Sequence, residues 1–466
     1  MKQKMQSERL GTEPIPKLLK NLSIPAMIGM FVMALYNVVD TIFISYGVGI
    51  NAVAGVTVAF PIMMIMMAVS AAMGIGGASV ISRRLGERRE QEANHVFGNI
   101  ISVILIISVL GIIGAFTILE PMLLLFGATQ EIVGYSIDYM FPILLGTFFF
   151  SFAFATNNIV RSEGNAKFAM MTMIIPAVIN IILDPVFIFG LNMGVRGAAI
   201  ATVISQASVT IVILQYFLTG KSSLQLRIEH LRVKLAILKE VIAVGLPAFA
   251  QQAAGSVMMI AINTMLIRFG GDLHVGVFGI IQRIIMFTVM PMMGVMQGMQ
   301  PIVGYNYGAK NFDRLQETVI LGLKVTISIS ILIFILIMSV PHWLMMIFTS
   351  NPEVISAGAE YLRIMFSAVF LIGIQVVGSG LYQALGKPKQ ALILSLSRQL
   401  IFLIPLVLIL PHYFGVYGVW MAFPISDFFA CLLAGALMYR DRDIFFGKGK
   451  GKNKEKGRQI PVSSGT

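Results

Sequence analysis

The feature that most constrains this chain is a succession of long apolar segments separated by short polar breaks. Each is long enough to cross a bilayer, which needs about 20 mostly apolar residues. Twelve are predicted, over 18–45, 53–82, 94–118, 131–160, 168–190, 195–219, 240–268, 274–304, 316–340, 354–384, 390–411 and 414–438. Composition agrees. Of 466 residues, 57% are hydrophobic and 12% charged, whereas a soluble domain carries about 25% charged residues. Too little polar surface remains to face water on all sides. The polar start, with Lys2, Lys4, Arg9, Lys17 and Lys20, runs into an apolar stretch too long for a signal-peptide core, so that stretch is read as the first span.

The net charge of +12 does not point to nucleic acid, because the bases sit in alternate loops. Arg83, Arg84, Arg88 and Arg89 follow span two; Arg161 and Lys167 follow span four. Lys221, Arg227, Arg232, Lys234 and Lys239 follow span six, Lys310 and Arg314 span eight, and Lys387 and Lys389 span ten. The other loops are nearly bare, with Arg196 and Arg268 as the main exceptions. The positive-inside rule then places both termini in the cytoplasm of a multi-pass cell-membrane protein. The Gly/Lys-rich tail is expected to be disordered near anionic lipid.

The two halves repeat. Pro25 and Pro247 differ by 247 − 25 = 222, Gly86 and Gly308 by 308 − 86 = 222, Gly164 and Gly386 by 386 − 164 = 222, and Tyr139 and Tyr361 by the same offset. Gly194-Val195-Arg196-Gly197 matches Gly415-Val416-Tyr417-Gly418 at 221. Six spans per half is an even number, so the halves point the same way. The expected fold is an all-α polytopic membrane protein with twelve transmembrane helices in two six-helix lobes. A pseudo-twofold axis along the membrane normal would relate the lobes, with a cavity between them. The division reads as an amino-terminal lobe 1–220, a cytoplasmic linker 221–239, a carboxy-terminal lobe 240–440 and a basic cytoplasmic tail 441–466. Leu224, Ile228, Leu231 and Leu235 would give the linker a short interfacial helix.

An ionisable residue inside such a span costs about 2.5–3.5 kcal/mol to insert, so it is a functional candidate by default. Asp40 and Asp184 are the two in the first half. Tyr36 and Asn37 precede Asp40 by one helical turn, and Asn180 precedes Asp184 by four residues. Thr202, Ser205 and Gln206 lie on the sixth span. Carboxylates among hydroxyl and amide oxygens suit a proton or a Na⁺ ion. The alternative is structural, with each acid satisfying nearby amide or backbone groups, including those left open by Pro185. The second half places Ile262 and Pro405 where the acids would repeat. It offers Gln251, Gln252, Gln282, Arg283, Gln300, Arg398 and Asp427 as buried polar groups, and Arg398 is expected to pair with Asp427 structurally. Methionines cluster in the equivalent second and eighth spans, with Met63 and Met290 among them. They either line a cavity for varied apolar ligands or pack. The lone Cys431 excludes an internal disulfide. No phosphate-cradling Gly-rich loop and no metal-ligand spacing of histidines occurs, so neither an enzyme, a cofactor nor a tightly held metal is expected.

Tyr36-Asn37-Val38-Val39-Asp40, Asn180-Ile181-Ile182-Leu183-Asp184-Pro185 and Gly194-Val195-Arg196-Gly197-Ala198-Ala199, together with the half-repeat, resemble the multidrug and toxic compound extrusion (MATE) transporters along nearly the whole chain. The resemblance is strongest to the prokaryotic branch related to DNA-damage-inducible protein F. It implies a cation-coupled antiporter (H⁺ or Na⁺) exporting amphipathic, often cationic organic compounds; separately, the chain is expected to function as a monomer in the bilayer. The resemblance implies cation-coupling roles for Asp40, Asn180, Asp184 and Thr202, with Na⁺ at the two acids as one option. Tyr36, Asn37, Tyr139, Asn157, Gln206, Met63 and Met290 become substrate-side candidates, and Pro25 a helix-bending residue. Another branch of that family carries an acid in the seventh span, where this chain has Gln251, Gln252 and Gly255. A lipid-linked oligosaccharide flippase shares the architecture, though few buried bases are present here to meet a diphosphate. A non-transporting membrane receptor or scaffold is the alternative from another class.

Overall fold

The computed structural model describes residues 4–445, and these form helices joined by short turns, with no strand among them. Ten helices are long and apolar enough to cross a membrane, and two bent pairs bring the spans to twelve. A short helix, Lys4–Thr12, precedes the first span, Ile15–Gly47. The second to sixth spans are Ile50–Gly86, Glu90–Thr117, Val133–Leu145 with Thr147–Ser162, Ala166–Gly190 and Gly194–Leu218. The seventh to twelfth are Leu235–Gly270, Asp272–Gly308, Phe312–Ser339, Pro352–Met365 with Val369–Ala384, Pro388–Phe414 and Val416–Arg440.

Several helices run past the apolar segments, because capped polar turns extend them into water. Asn311 Oδ1 caps the ninth span by accepting from Arg314 N. The fourth span bends by 60° between Leu145 and Thr147, and the tenth by 44°. Gly146 lies at the first break. Pro25 sits inside a continuous helix, with its ring accommodated at the third turn.

The spans form two lobes of six, and apolar side chains such as Leu110, Ile211, Ile260 and Leu332 are exposed around them. Such surface is stable against lipid and not against water. The lobes join at the end carrying the basic loops, where their backbones approach through glycine. A methyl group on Gly86 would overlap the Tyr305 carbonyl oxygen, and one on Gly308 would overlap the Arg83 carbonyl oxygen. These are one contact made twice, since 308 − 86 and 305 − 83 both equal 222. Gly76 against Gly245 and Gly298 against Ser23 form a second such pair, since 298 − 76 and 245 − 23 also equal 222. Glu240 on the seventh span binds both Arg83, at 3.2 Å, and Arg84, at 3.0 Å, on the second. A core built from Ile15, Leu18, Leu19 and Leu22 of the first span and from Met299, Ile302 and Val303 of the eighth crosses the seam. Away from this end each lobe has its own core, one around Ile44, Leu123 and Met140, the other around Phe278, Leu362 and Trp420.

The linker differs from its predicted form. Leu224 is buried, Ile228 is 88% exposed, and only a single 3₁₀ turn, Ile228–Leu231, forms. Its backbone N–H groups are claimed by side chains of the first lobe: Leu224 N donates to Glu163, Gln225 N to Asn94 and Lys234 N to Asn99. That bonding ties an irregular, non-helical path to the first lobe on either side of the single turn. Of the predicted tail 441–466, residues 446–466 lie outside the described residues.

Candidate functional site

Asp40 falls one turn after Tyr36 on the first span, and Asp184 one turn after Asn180 on the fifth, so each helix turns a carboxyl and a neutral partner to one side. The fifth span then widens into a π turn over Val186–Gly190, immediately after Asp184-Pro185. The missing proline N–H releases the regular ladder there, and such widened turns recur at functional sites.

The two acids come together although 144 residues separate them in sequence (184 − 40). Asp40 is 9% exposed, Asp184 fully buried and Asn180 1% exposed. The Asp40 and Asp184 carboxyls face each other, and Asn180 stands beside Asp184. Asn180 Nδ2 donates to Thr202 Oγ1 at 3.1 Å, which fixes the amide with its oxygen free. Tyr36 lies beside Thr202 and both acids, and buried Tyr139 closes the group from the fourth span. Asp40 Oδ1, both Asp184 carboxyl oxygens and Asn180 Oδ1 are buried acceptors that no protein donor reaches. Buried acceptors are costly without a partner. Two carboxylates supply no hydrogen to each other, so the cluster chemically calls for a shared proton or a small hard cation.

Other candidate positions stand apart from it. Asn37 is exposed, and its amide donates to Met33 O at 2.7 Å. Asn157 is committed elsewhere: its amide donates to Ala169 O and Thr172 Oγ1, and its oxygen accepts from Arg161. Gln206 and Met290 are partly buried, and Met63 packs against the first lobe's outer core. Met73, Met292 and Met299 are core residues, so packing accounts for much of both methionine clusters. In the second lobe Arg398 Nε donates to Asp427 Oδ1 at 2.5 Å, and Arg398 also lies in a π turn, Ser397–Leu403. Arg283, read from sequence as buried, is exposed. It stands one turn beyond Phe287, whose ring meets Phe31 across the lobes at 5.9 Å, toward the end where the lobes have separate cores.

Sequence reasoning missed two buried charges at the basic end. Arg161, read as a loop base, is 6% exposed, and Glu163 is fully buried. Glu163 accepts from Tyr216, Ser222 and Leu224 N. Burial pushes its carboxyl up to about 7 against the pull of those donors. Both residues follow an apolar span in a short polar stretch, which reads as a solvated loop. Among the described residues no cluster of three or more His, Cys, Asp or Glu forms a metal site.

The MatE family model matches residues 25–186 and 247–409, once in each half. Multidrug export protein MepA of Staphylococcus haemolyticus (strain JCSC1435) is 27% identical over 92% of this chain and 94% of its own length. Its namesake from Staphylococcus aureus (strain MSSA476) is 24% identical over 92% and 95%. Among solved structures, the MATE multidrug transporter DinF-BH in complex with rhodamine 6G is 69% identical, covers 95% of this chain and 99% of its own, and superposes with a TM-score of 0.88. A MOP superfamily transporter from Pyrococcus furiosus, described as having a binding pocket of reverse polarity, is 30% identical over 94% and 98%, with a TM-score of 0.88.

Proposed function

The chain belongs to the MatE family of multidrug export transporters, and from that premise we propose that it is a cation-coupled antiporter that works by alternating access. Asp40, Asp184, Asn180 and Thr202 hold the coupling H⁺ or Na⁺. The observation that carries this reading is the group of four buried acceptor oxygens without a donor on Asp40, Asp184 and Asn180. A cation binds there and is released as the site deforms. Substrate favours the deprotonated or Na⁺-free form, so cation and substrate compete for one lobe, directly or through the shape of the first span. The cargo is an amphipathic, often cationic organic molecule, of the kind found with DinF-BH, whose complex contains rhodamine 6G.

The basic loops and both chain ends face the cytoplasm of the cell membrane. On that orientation the glycine seam closes the cytoplasmic side, and the protein is poised to release cargo outward. The energetics fit. One charge crossing about 150 mV is worth roughly 3.5 kcal/mol, which sustains a gradient of a few hundredfold at about 1.4 kcal/mol per decade. A monomer contains the whole site.

The test is reconstitution in liposomes with rhodamine 6G as cargo, driven separately by a pH gradient and a Na⁺ gradient. Gradient-driven flux that disappears in Asp40→Asn and Asp184→Asn is the expected result. Flux that is the same in parent and variants sinks the coupling assignment. No flux of any organic cation from correctly folded protein would favour the flippase reading, to be checked by lipid scrambling.

A further inference from the structure

A second site lies at the closed end, away from Asp40 and Asp184. A narrow cavity of about 20 Å³ lies there between the lobes. Ser79, Asn158 and Arg161 line it from one lobe, and Gln297, Gln300 and Gln383 from the other. This is room for one water-sized species and no more.

Its single charge is Arg161. The side chain is 6% exposed, and one guanidinium nitrogen donates to Asn157 Oδ1. Nε and Nη1 have no protein acceptor. No carboxylate lines the cavity. Glu163, two residues on, is spent on Tyr216, Ser222 and Leu224. The other polar groups do not neutralise the charge. Ser79 donates to Gln383 O at 2.6 Å, and Gln300 Nε2 to Gln383 Oε1 at 2.9 Å. A guanidinium removed from water without a counter-charge is strongly disfavoured, while its planar fork of N–H donors is well made for an anion.

We propose that this cavity binds a small monovalent anion, chloride or a halide of similar size, held by Arg161 between the two lobes. Organic anions are excluded by volume. Because both lobes build the walls, the site is complete only when they are closed at this end. Anion binding therefore favours the closed state by linkage. At about ten times its Kd, chloride raises the closed-to-open ratio about elevenfold.

The experiment measures lobe separation in lipid nanodiscs by paired spin labels. Cys431 is replaced by Ser, and labels are placed at the exposed positions Gln91 and Asp313. Sodium chloride is exchanged for sodium gluconate at constant Na⁺ and pH, without cargo. The short-distance fraction is expected to rise with chloride, to saturate, and to rise likewise with bromide. Arg161→Gln is expected to abolish the response. Should that variant fail to fold, Gln297→Glu replaces it, since a carboxylate in the same cavity supplies the counter-charge. That variant is expected to stay closed in gluconate and to ignore chloride. A parent distribution that chloride leaves unchanged means water alone fills the cavity and overturns the proposal. So does a Gln297→Glu protein that responds to chloride as the parent does.

Discussion

Gly76 and Gly245 hold the two lobes at backbone contact: a methyl group on Gly76 would lie 2.9 Å from Gly245 N, and one on Gly245 would overlap the Ala72 carbonyl oxygen. Small residues at such crossings let membrane helices approach closely enough for their backbones to touch. Gly245→Ala should therefore cost about 1–3 kcal/mol in the closed state alone, through overpacking. Spin labels across the seam should report a larger separated population, and Gly298→Ala, in the repeat-related contact against Ser23, should do the same. Unchanged distances in both variants would show that the seam yields easily and does not set the state.

Glu163 makes stability depend on pH. Its carboxyl is held at about 7, above the ordinary value of 4.5. A group raised on folding contributes stability that is fully present below its unfolded value and is lost as pH rises through its folded value. The difference is on the order of 3 kcal/mol between pH 4.5 and pH 8. The parent should melt at a lower temperature at pH 8 than at pH 5.5, and Glu163→Gln should flatten that slope. An equally steep slope in the variant would contradict the assignment.

The Arg398–Asp427 pair in the second lobe is a structural element whose halves need each other. Asp427 is 3% exposed, so Asp427→Asn leaves a charge without its partner and should cost about 3–5 kcal/mol. Replacing both at once, with Arg398→Met and Asp427→Leu, should recover most of that loss. Thermal unfolding of Arg398→Met, of Asp427→Leu and of the double variant measures the coupling. Additive losses would mean that the pair does not act as a unit.

The parts of this structure that were legible in the sequence are those written in long periodic signals. Twelve apolar segments marked the spans, and the 222-residue offset reappears as duplicated contacts, Gly86 on Tyr305 and Gly308 on Arg83. Asp40 and Asp184 stood out because a carboxyl in an apolar run has no cheap explanation. What escaped was decided by tertiary approach. Arg161 and Glu163 read as loop residues, and only the packing of the linker and the facing lobe buries them. Leu224 and Ile228 share a helical spacing, yet Leu224 packs into the first lobe with its N–H on Glu163 while Ile228 is left 88% exposed. Arg283 lies in an apolar span but is exposed, one turn beyond the Phe31–Phe287 contact across the lobes.

On this mechanism one oxygen cluster serves both the cation and the drug cycle. The most direct test is the equilibrium affinity for rhodamine 6G, measured against pH at fixed Na⁺ and against Na⁺ at fixed pH. Parent, Asp40→Asn and Asp184→Asn proteins are compared. The parent's affinity should fall about tenfold or more as one of the two cations is raised, and the variants should show no such dependence. A parent affinity indifferent to both cations would contradict the shared cluster.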